Sequence, residues 1–266
     1  MKMHRTTLLL ALVAFGSTTF AHDFWVQPSS FSPGLDELVH ARLYVGHTDA
    51  PDELARDHER IARFELLRPE GAPKTVVGLD GHKPAGLLRL QEPGSYFIVF
   101  ESRPKYLELE PDRFEAYLEE EGLASALRER AERNERDTIG RESFSRSCKT
   151  ILRADGGTSG FDHVIGLRHE ITLLTDPAEW EPGRAIELEV RFEGELARDQ
   201  QVELQHLEDP TILRILRTDS AGRVRFPLRT PGPWLAGSIH MERVPDEARA
   251  ELGDWESVWA TLAFEL

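Results

Sequence analysis

Residues 96–101 read YFIVFE, and this short run sets the fold class. Aromatic and β-branched side chains fit a pleated strand. Because the apolar run is unbroken, the strand is expected to be buried. Glu92-Pro93-Gly94, just before it, is a turn signal. Towards the amino terminus the same grammar repeats. Leu87–Leu90 is one short run. Thr75–Val77 precedes Leu79-Asp80-Gly81, and Arg63–Leu67 (RFELL) precedes Pro69-Glu70-Gly71. Glu37–Val45 (ELVHARLYV) roughly alternates and stops at Gly46-His47. Short strands with turns at about 8–12-residue spacing indicate a β-sandwich.

Beyond YFIVFE the pattern changes. Pro111-Asp112-Arg113-Phe114 opens a helix, with Pro and Asp in its first turn. Phe114, Tyr117, Leu118, Leu123 and Leu127 recur at helical spacing, with Gly122 as a break. Residues 128–137 (RERAERNERD) are almost wholly charged, of both signs, and read as a solvated arm. Gly156-Gly157-Thr158-Ser159-Gly160 is a flexible break. Strands then resume at Ile171–Leu174, Ala185–Phe192, Val202–Leu207, Arg223–Leu228, Trp234–Glu242 and Val258–Leu266. Thr218-Asp219-Ser220-Ala221-Gly222 and Thr230-Pro231-Gly232-Pro233 supply turns. The expectation is a mainly β chain of two β-sandwich domains, immunoglobulin- or transthyretin-like, with a helical insertion between them. Its parts are a signal peptide (1–21), an N-terminal sandwich (22–110), a helical insertion and linker (111–160) and a C-terminal sandwich (161–266).

The first 21 residues read as a secretory signal. Lys2, His4 and Arg5 are the basic start, Leu8–Phe15 the apolar stretch, and Thr19-Phe20-Ala21 the small-residue end. The apolar stretch is shorter than the ~20 residues a bilayer requires. The chain carries a formal charge of −15, which loss of Lys2 and Arg5 takes to −17. Such a surface repels nucleic acid and anionic membranes, so neither a nucleic-acid partner nor stable membrane insertion is expected. Cys148 is the single cysteine, which excludes an intramolecular disulfide and reads as a small buried residue.

Cleavage after Ala21 makes His22 the new amino terminus. Its α-amine and ring Nδ1 can together close a chelate on a divalent metal, which an internal histidine cannot do. His47, after a glycine at a strand end, and His240, in a later strand, are the further candidate ligands if the two halves bring them together. An amine with two or three imidazoles suits nickel, cobalt or copper, and zinc also accepts such a set. Asp49, Asp52, Asp57 and His58 follow His47 in an acidic loop that offers a carboxylate to a metal or to an imidazole. His82, His163 and His169 are weaker candidates, and Met241 must face away from His240 because strand neighbours alternate. Gly-x-Ser-x-Gly, His-Glu-x-x-His and P-loop patterns are absent. No catalytic residue is nominated, and a binding protein is expected in preference to an enzyme.

Several of these stretches, in order, resemble one family. They are His22-Asp23-Phe24-Trp25-Val26-Gln27-Pro28, Val45-Gly46-His47, Arg113-Phe114 with Tyr117-Leu118, and Phe144-Ser145-Arg146 with Lys149. Thr218–Phe226 and Trp259–Phe264 complete the set. The family is the NikM-like periplasmic domain of unknown function, linked to nickel and cobalt uptake systems. The resemblance implies a periplasmic β-rich protein that binds or delivers nickel or cobalt, with a membrane metal-uptake permease as partner. It carries the family's terminal histidine and Gly-His motif onto His22 and His47. This chain departs from the family's Arg-Tyr-x-Lys stretch at Arg146-Ser147-Cys148-Lys149. A terminal histidine with a second histidine on a sandwich also resembles the copper brace of periplasmic carriers and oxidative polysaccharide enzymes. A scaffold or adhesion module without metal is the remaining reading.

Overall fold

The computed structural model describes residues 23–266. The expected signal peptide (1–21) and His22 lie outside the described residues. In the first half the elements are β1 (Phe24–Pro28), β2 (Val39–Val45), β3 (Asp52–Leu54), β4 (Ile61–Leu67), β5 (Lys74–Thr75), β6 (Gly86–Leu88), β7 (Gly94–Ser102) and β8 (Lys105–Leu109). Two helices follow, α1 (Pro111–Glu120) and α2 (Ala124–Glu132), and then β9 (Gly140–Ala154). The second half holds β10 (His169–Leu173), β11 (Ala185–Phe192), β12 (Glu195–Leu196), β13 (Gln201–His206), β14 (Leu213–Arg217), β15 (Arg223–Pro227), β16 (Pro233–Arg243), α3 (Arg249–Leu252) and β17 (Trp255–Glu265).

The chain is mainly β, and its two sandwiches share one sheet. Nine strands form a central sheet in the order β14-β13-β16-β17-β9-β7-β4-β5, with β8 also on β9. Side chains alternate across it. Tyr96, Ile98 and Phe100 of β7 go to one face with Phe24, Val26, Val39 and Leu43 of the β1-β2-β3-β6 sheet. Phe97 and Val99 go to the other, with Ile171, Leu188 and Phe226 of the β10-β11-β12-β15 sheet. The YFIVFE strand is thus buried on both sides, as its unbroken apolar run requires.

Residues 111–160 depart from the expected insertion and linker. Helix ends at Glu132, and residues 140–154 are a 15-residue strand, the longest described. β9 lies antiparallel to β7 and parallel to β17, so it joins the two halves into one sheet. Its sequence hides it. Glu142, Ser143, Ser147, Lys149 and Thr150 are all buried, and their partners come from distant elements. Lys149 Nζ reaches Glu170 at 2.6 Å and Thr172 Oγ1 at 3.2 Å. Glu170 in turn accepts the backbone N–H groups of Ile165, Gly166 and Leu167, which fastens the segment leading into β10.

The helices behave as their periodicity predicts. Phe114, Tyr117 and Leu118 are buried against Ile239, Met241, Trp255 and Trp259 on the first face of the sheet. Gly122 ends the first helical stretch at φ +66°, a conformation that favours glycine. Among the described residues no helix is long and apolar enough to cross a membrane.

Candidate metal centre

The described chain begins at a pinned strand. β1 pairs with β2 from Phe24↔Val45 to Pro28↔Ala41. It also lies across β9 and β17, where side chains hold its carbonyls. Thr261 Oγ1 donates to Phe24 O at 2.9 Å, and Thr150 Oγ1 donates to Val26 O at 2.6 Å. Cys148 Sγ–H adds a 3.5 Å contact to Phe24 O. Burial pushes that thiol up to about 12, so Cys148 stays a thiol and serves packing.

Asp23 therefore has a fixed place. Gly46 N–H donates to Asp23 O at 3.0 Å, with Gly46 at φ +119°. Thr48 Oγ1 donates to Gln205 Oε1 at 2.6 Å. His47 is held between these two anchors, exposed, with its charge felt at Glu203. Gly237 lies opposite Glu203 in the β13–β16 ladder, and a Cβ there would meet Asp23 Oδ1 at 3.4 Å. The missing side chain makes room for the aspartate. Glu121 follows α1 and enters from above, where Arg217 and Gln201 hold the turn by donating to Gly122 O and Glu120 O.

Asp23, Glu121 and Glu203 line one small cavity with Gln201, Ile239, Trp259 and Thr261. At about 20 Å³ it has room for about one water-sized occupant. Trp259 is 6% exposed, and its Nε1–H has no partner. Crowded acids in a desolvated place resist ionisation. Burial pushes the Asp23 carboxyl up to about 7, with Glu203 adding and Arg146 opposing. Burial, then Asp23 and Glu203, push Glu121 up to about 8. Glu203 is raised mainly by burial, and its bond to Gln205 and the nearby His47 work against this. A cation in the cavity would reverse that balance and favour all three carboxylates in ionised form.

Of the three sequence candidates, the structure keeps His47 beside this cluster and moves His240 away. Gly237, Ile239 and Met241 face the cavity side, and Met241 packs under the helices. His240 is on the opposite face of β16, stacked on Phe192 with ring centroids 3.7 Å apart and 6.0 Å from the ring of His169. A strand's alternation separates the two sites, and no spacing in the sequence reveals which face meets β1. His163 is also on that second face, 6.1 Å from the Phe97 ring. His82 is exposed and bonds Asp80 O.

Asp57, His58 and Asp80 are the one trio among the described residues whose donor atoms all lie within 4.8 Å of one another. Each has its own partner. Asp57 pairs with Arg60 at 2.9 Å, and Asp80 takes both the backbone N–H and the ring of His58. The His58 and Asp80 side chains are 72% and 50% exposed, so the trio holds itself together as a solvated turn. The sequence reading missed Glu121 and Glu203, which are two acids among 47 and carry no motif.

A family model described as a domain of unknown function, DUF4198, matches residues 19–242. No curated protein matches the chain. Among solved structures, one titled "D0-D1 domain of Intimin" is similar at 13% identity, over 91% of this chain and 97% of that one. The TM-score between the two is 0.22.

Proposed function

This chain belongs to the DUF4198 family, and we propose that its processed form is an exported protein that binds a divalent transition-metal cation at its amino terminus. The observation that carries this reading is that Asp23, the residue after His22, lines one small cavity together with Glu121 and Glu203. The donor set would be the amine and Nδ1 of His22, the imidazole of His47 and a carboxylate. This mixed nitrogen and oxygen set suits nickel, cobalt, copper or zinc, and lacks the thiolate or thioether that a soft ion prefers. His240 is not part of this set. Acids that hold protons near neutral pH give them up to an incoming cation, so uptake releases protons and strengthens as pH rises.

Within that frame, nickel or cobalt supplied to a membrane uptake permease from the periplasm is the leading role. The NikM-like resemblance of the His22–Pro28 and Val45–His47 stretches supports it. A copper brace is favoured by one observation, the fixing of His47 between the anchors at Gly46 and Thr48. Calorimetry with nickel, cobalt, copper and zinc on protein beginning at His22, against protein with one extra residue before it, tests both. The extended form is expected to bind at least about tenfold more weakly, as loss of a ligand contact implies. Equal affinity in the two forms overturns the terminal chelate, and the order of the four affinities decides between nickel or cobalt and copper.

A further inference from the structure

The first sandwich leaves a gap between its sheets. Between the β1-β2-β3-β6 sheet and the central one lies a cavity of about 400 Å³, walled by Phe24, Leu43, Leu54, Ile61 and Phe100. Apolar concavities of about 300–1,000 Å³ are the usual size of small-molecule sites. The Phe24 and Phe100 rings are buried, with centroids 4.9 Å apart, and form the inner wall.

The mouth is charged. Arg56 and Arg60 come from the segment between β3 and β4, with Asp57 and Asp80 beside them. Both acids are already met, Asp57 by Arg60 Nε at 2.9 Å and Asp80 by His58 Nδ1 at 2.8 Å. Further cations stand close by. Arg146, on β9, sets its guanidinium 5.0 Å from the centre of the Phe24 ring, and it also feels Asp23. Lys105, at the start of β8, feels Arg60, Arg146 and one carboxylate, Asp57. Partial burial first, and then those two guanidiniums, lower the pKa of its ammonium. Lys105 thus meets two like charges and one acid, and that acid is already held by Arg60. This positive corner stands on a chain whose formal charge is −15. Like charges held together oppose one another, and an anion placed between them would relieve that cost.

We propose that this cavity binds a small amphipathic organic anion, a monocarboxylate with an aromatic or branched apolar body. The body lies against Phe24 and Phe100, and the carboxylate meets Arg60 and Lys105 at the mouth. Arg60 meets Asp57 through Nε, and the terminal nitrogens of a guanidinium can hold a carboxylate side-on. A neutral molecule of the same shape gains the apolar contact alone. The site needs neither His22 nor a metal, so it stands or falls apart from the amino-terminal one.

The probe is 2-naphthoate, with its neutral amide as comparison, titrated by calorimetry into the processed chain in the presence of a chelator. One equivalent of naphthoate is expected, with the amide bound about tenfold more weakly. The double variant Arg60→Gln, Lys105→Gln is expected to weaken naphthoate about tenfold or more and to leave the amide unchanged. Leu54→Trp, which fills the cavity, is expected to remove both. Arg225→Gln, on β15 in the other sandwich with its side chain 73% exposed, is expected to change neither. Arg60 and Lys105 are exposed, so their double variant keeps the test decisive even if Leu54→Trp disturbs packing. Failure of naphthoate to bind overturns the proposal. Equal affinity for acid and amide does so too, as does naphthoate binding that survives the double variant undiminished. The chelator silences the terminal metal site, so the fate of that site is read separately.

Discussion

Glu142 gives the sharpest test of how this interior handles charge. It is 1% exposed, on β9, under the first helix. Tyr117 OH donates to its Oε1 at 3.2 Å, Ser257 Oγ donates to the same oxygen, and Oε2 has no partner. Burial pushes its carboxyl from 4.5 up to about 7, although both hydroxyl bonds favour the ionised form. Between those two values the folded chain holds a proton that the unfolded chain has lost, so stability falls as pH rises through the window. The rise from 4.5 to about 7 is worth about 3 kcal/mol at full ionisation. Allowing for the fraction already ionised in the unfolded chain, about 2–3 kcal/mol of it falls between pH 5 and pH 8. Glu142→Gln keeps the Oε1 acceptor and mimics the protonated acid. Urea denaturation of both proteins at pH 5 and pH 8 reads chiefly this group, since Glu142 supplies the smallest of the effects that raise Glu121 and none of those that raise Asp23. The gap between variant and parent is expected to move by about 2–3 kcal/mol in favour of the glutamine at pH 8. Parallel pH dependences in the two proteins would refute the reasoning and mean that Glu142 is ionised in the fold.

Two further outcomes bear on the frame that holds the sites. Lys149→Met is expected to cost about 3–5 kcal/mol in urea denaturation, because it leaves the Glu170 charge buried without its cation. The double variant with Glu170→Gln is expected to recover part of that loss. Gly140→Ala is expected to cost about 1–3 kcal/mol, read as a lowered melting temperature, since its Cβ would fall 2.1 Å from Cγ of the fully buried Phe114.

The sequence shows strands where apolar side chains mark them, and fails where polar ones are buried. Trp234–Glu242 falls within β16, and Ala185–Phe192 coincides with β11. Phe114, Tyr117 and Leu118 face the core of the helical layer at the positions their period requires. β9 is missed because RESFSRSCKTILRA has little apolar run. Its buried Lys149 and Glu142 are matched by Glu170, Tyr117 and Ser257, residues that local windows cannot connect. β14 is missed for the opposite reason. It is exposed throughout as an edge strand, so burial leaves no signature in it. At the candidate site His47 is legible from Gly46-His47, because a glycine at φ +119° ends the strand there. Glu121 and Glu203 are not, since helix, hairpin and sheet must assemble before those carboxyls meet.

That assembly also bears on how this fold would carry the proposed amino-terminal ligand. A new terminus is ordinarily the most mobile part of a chain, and ordering it would oppose metal binding through lost conformational freedom. Here the opposing term is small up to Asp23. The strand behind it is hydrogen-bonded to β2 along its length, and Thr261 and Thr150 hold its carbonyls from the far side. Those two threonines come from β17 and β9, the parallel pair that joins the halves of the molecule. The carboxylates arrive on different elements again, Glu121 after α1 and Glu203 on β13. The joint between the sandwiches is thus what makes the site, since neither half alone holds both the strand and the acids. On the proposed reading, a ligand released by cleavage would meet a preformed acidic cavity there, and the energy of folding, not that of binding, would have organised it.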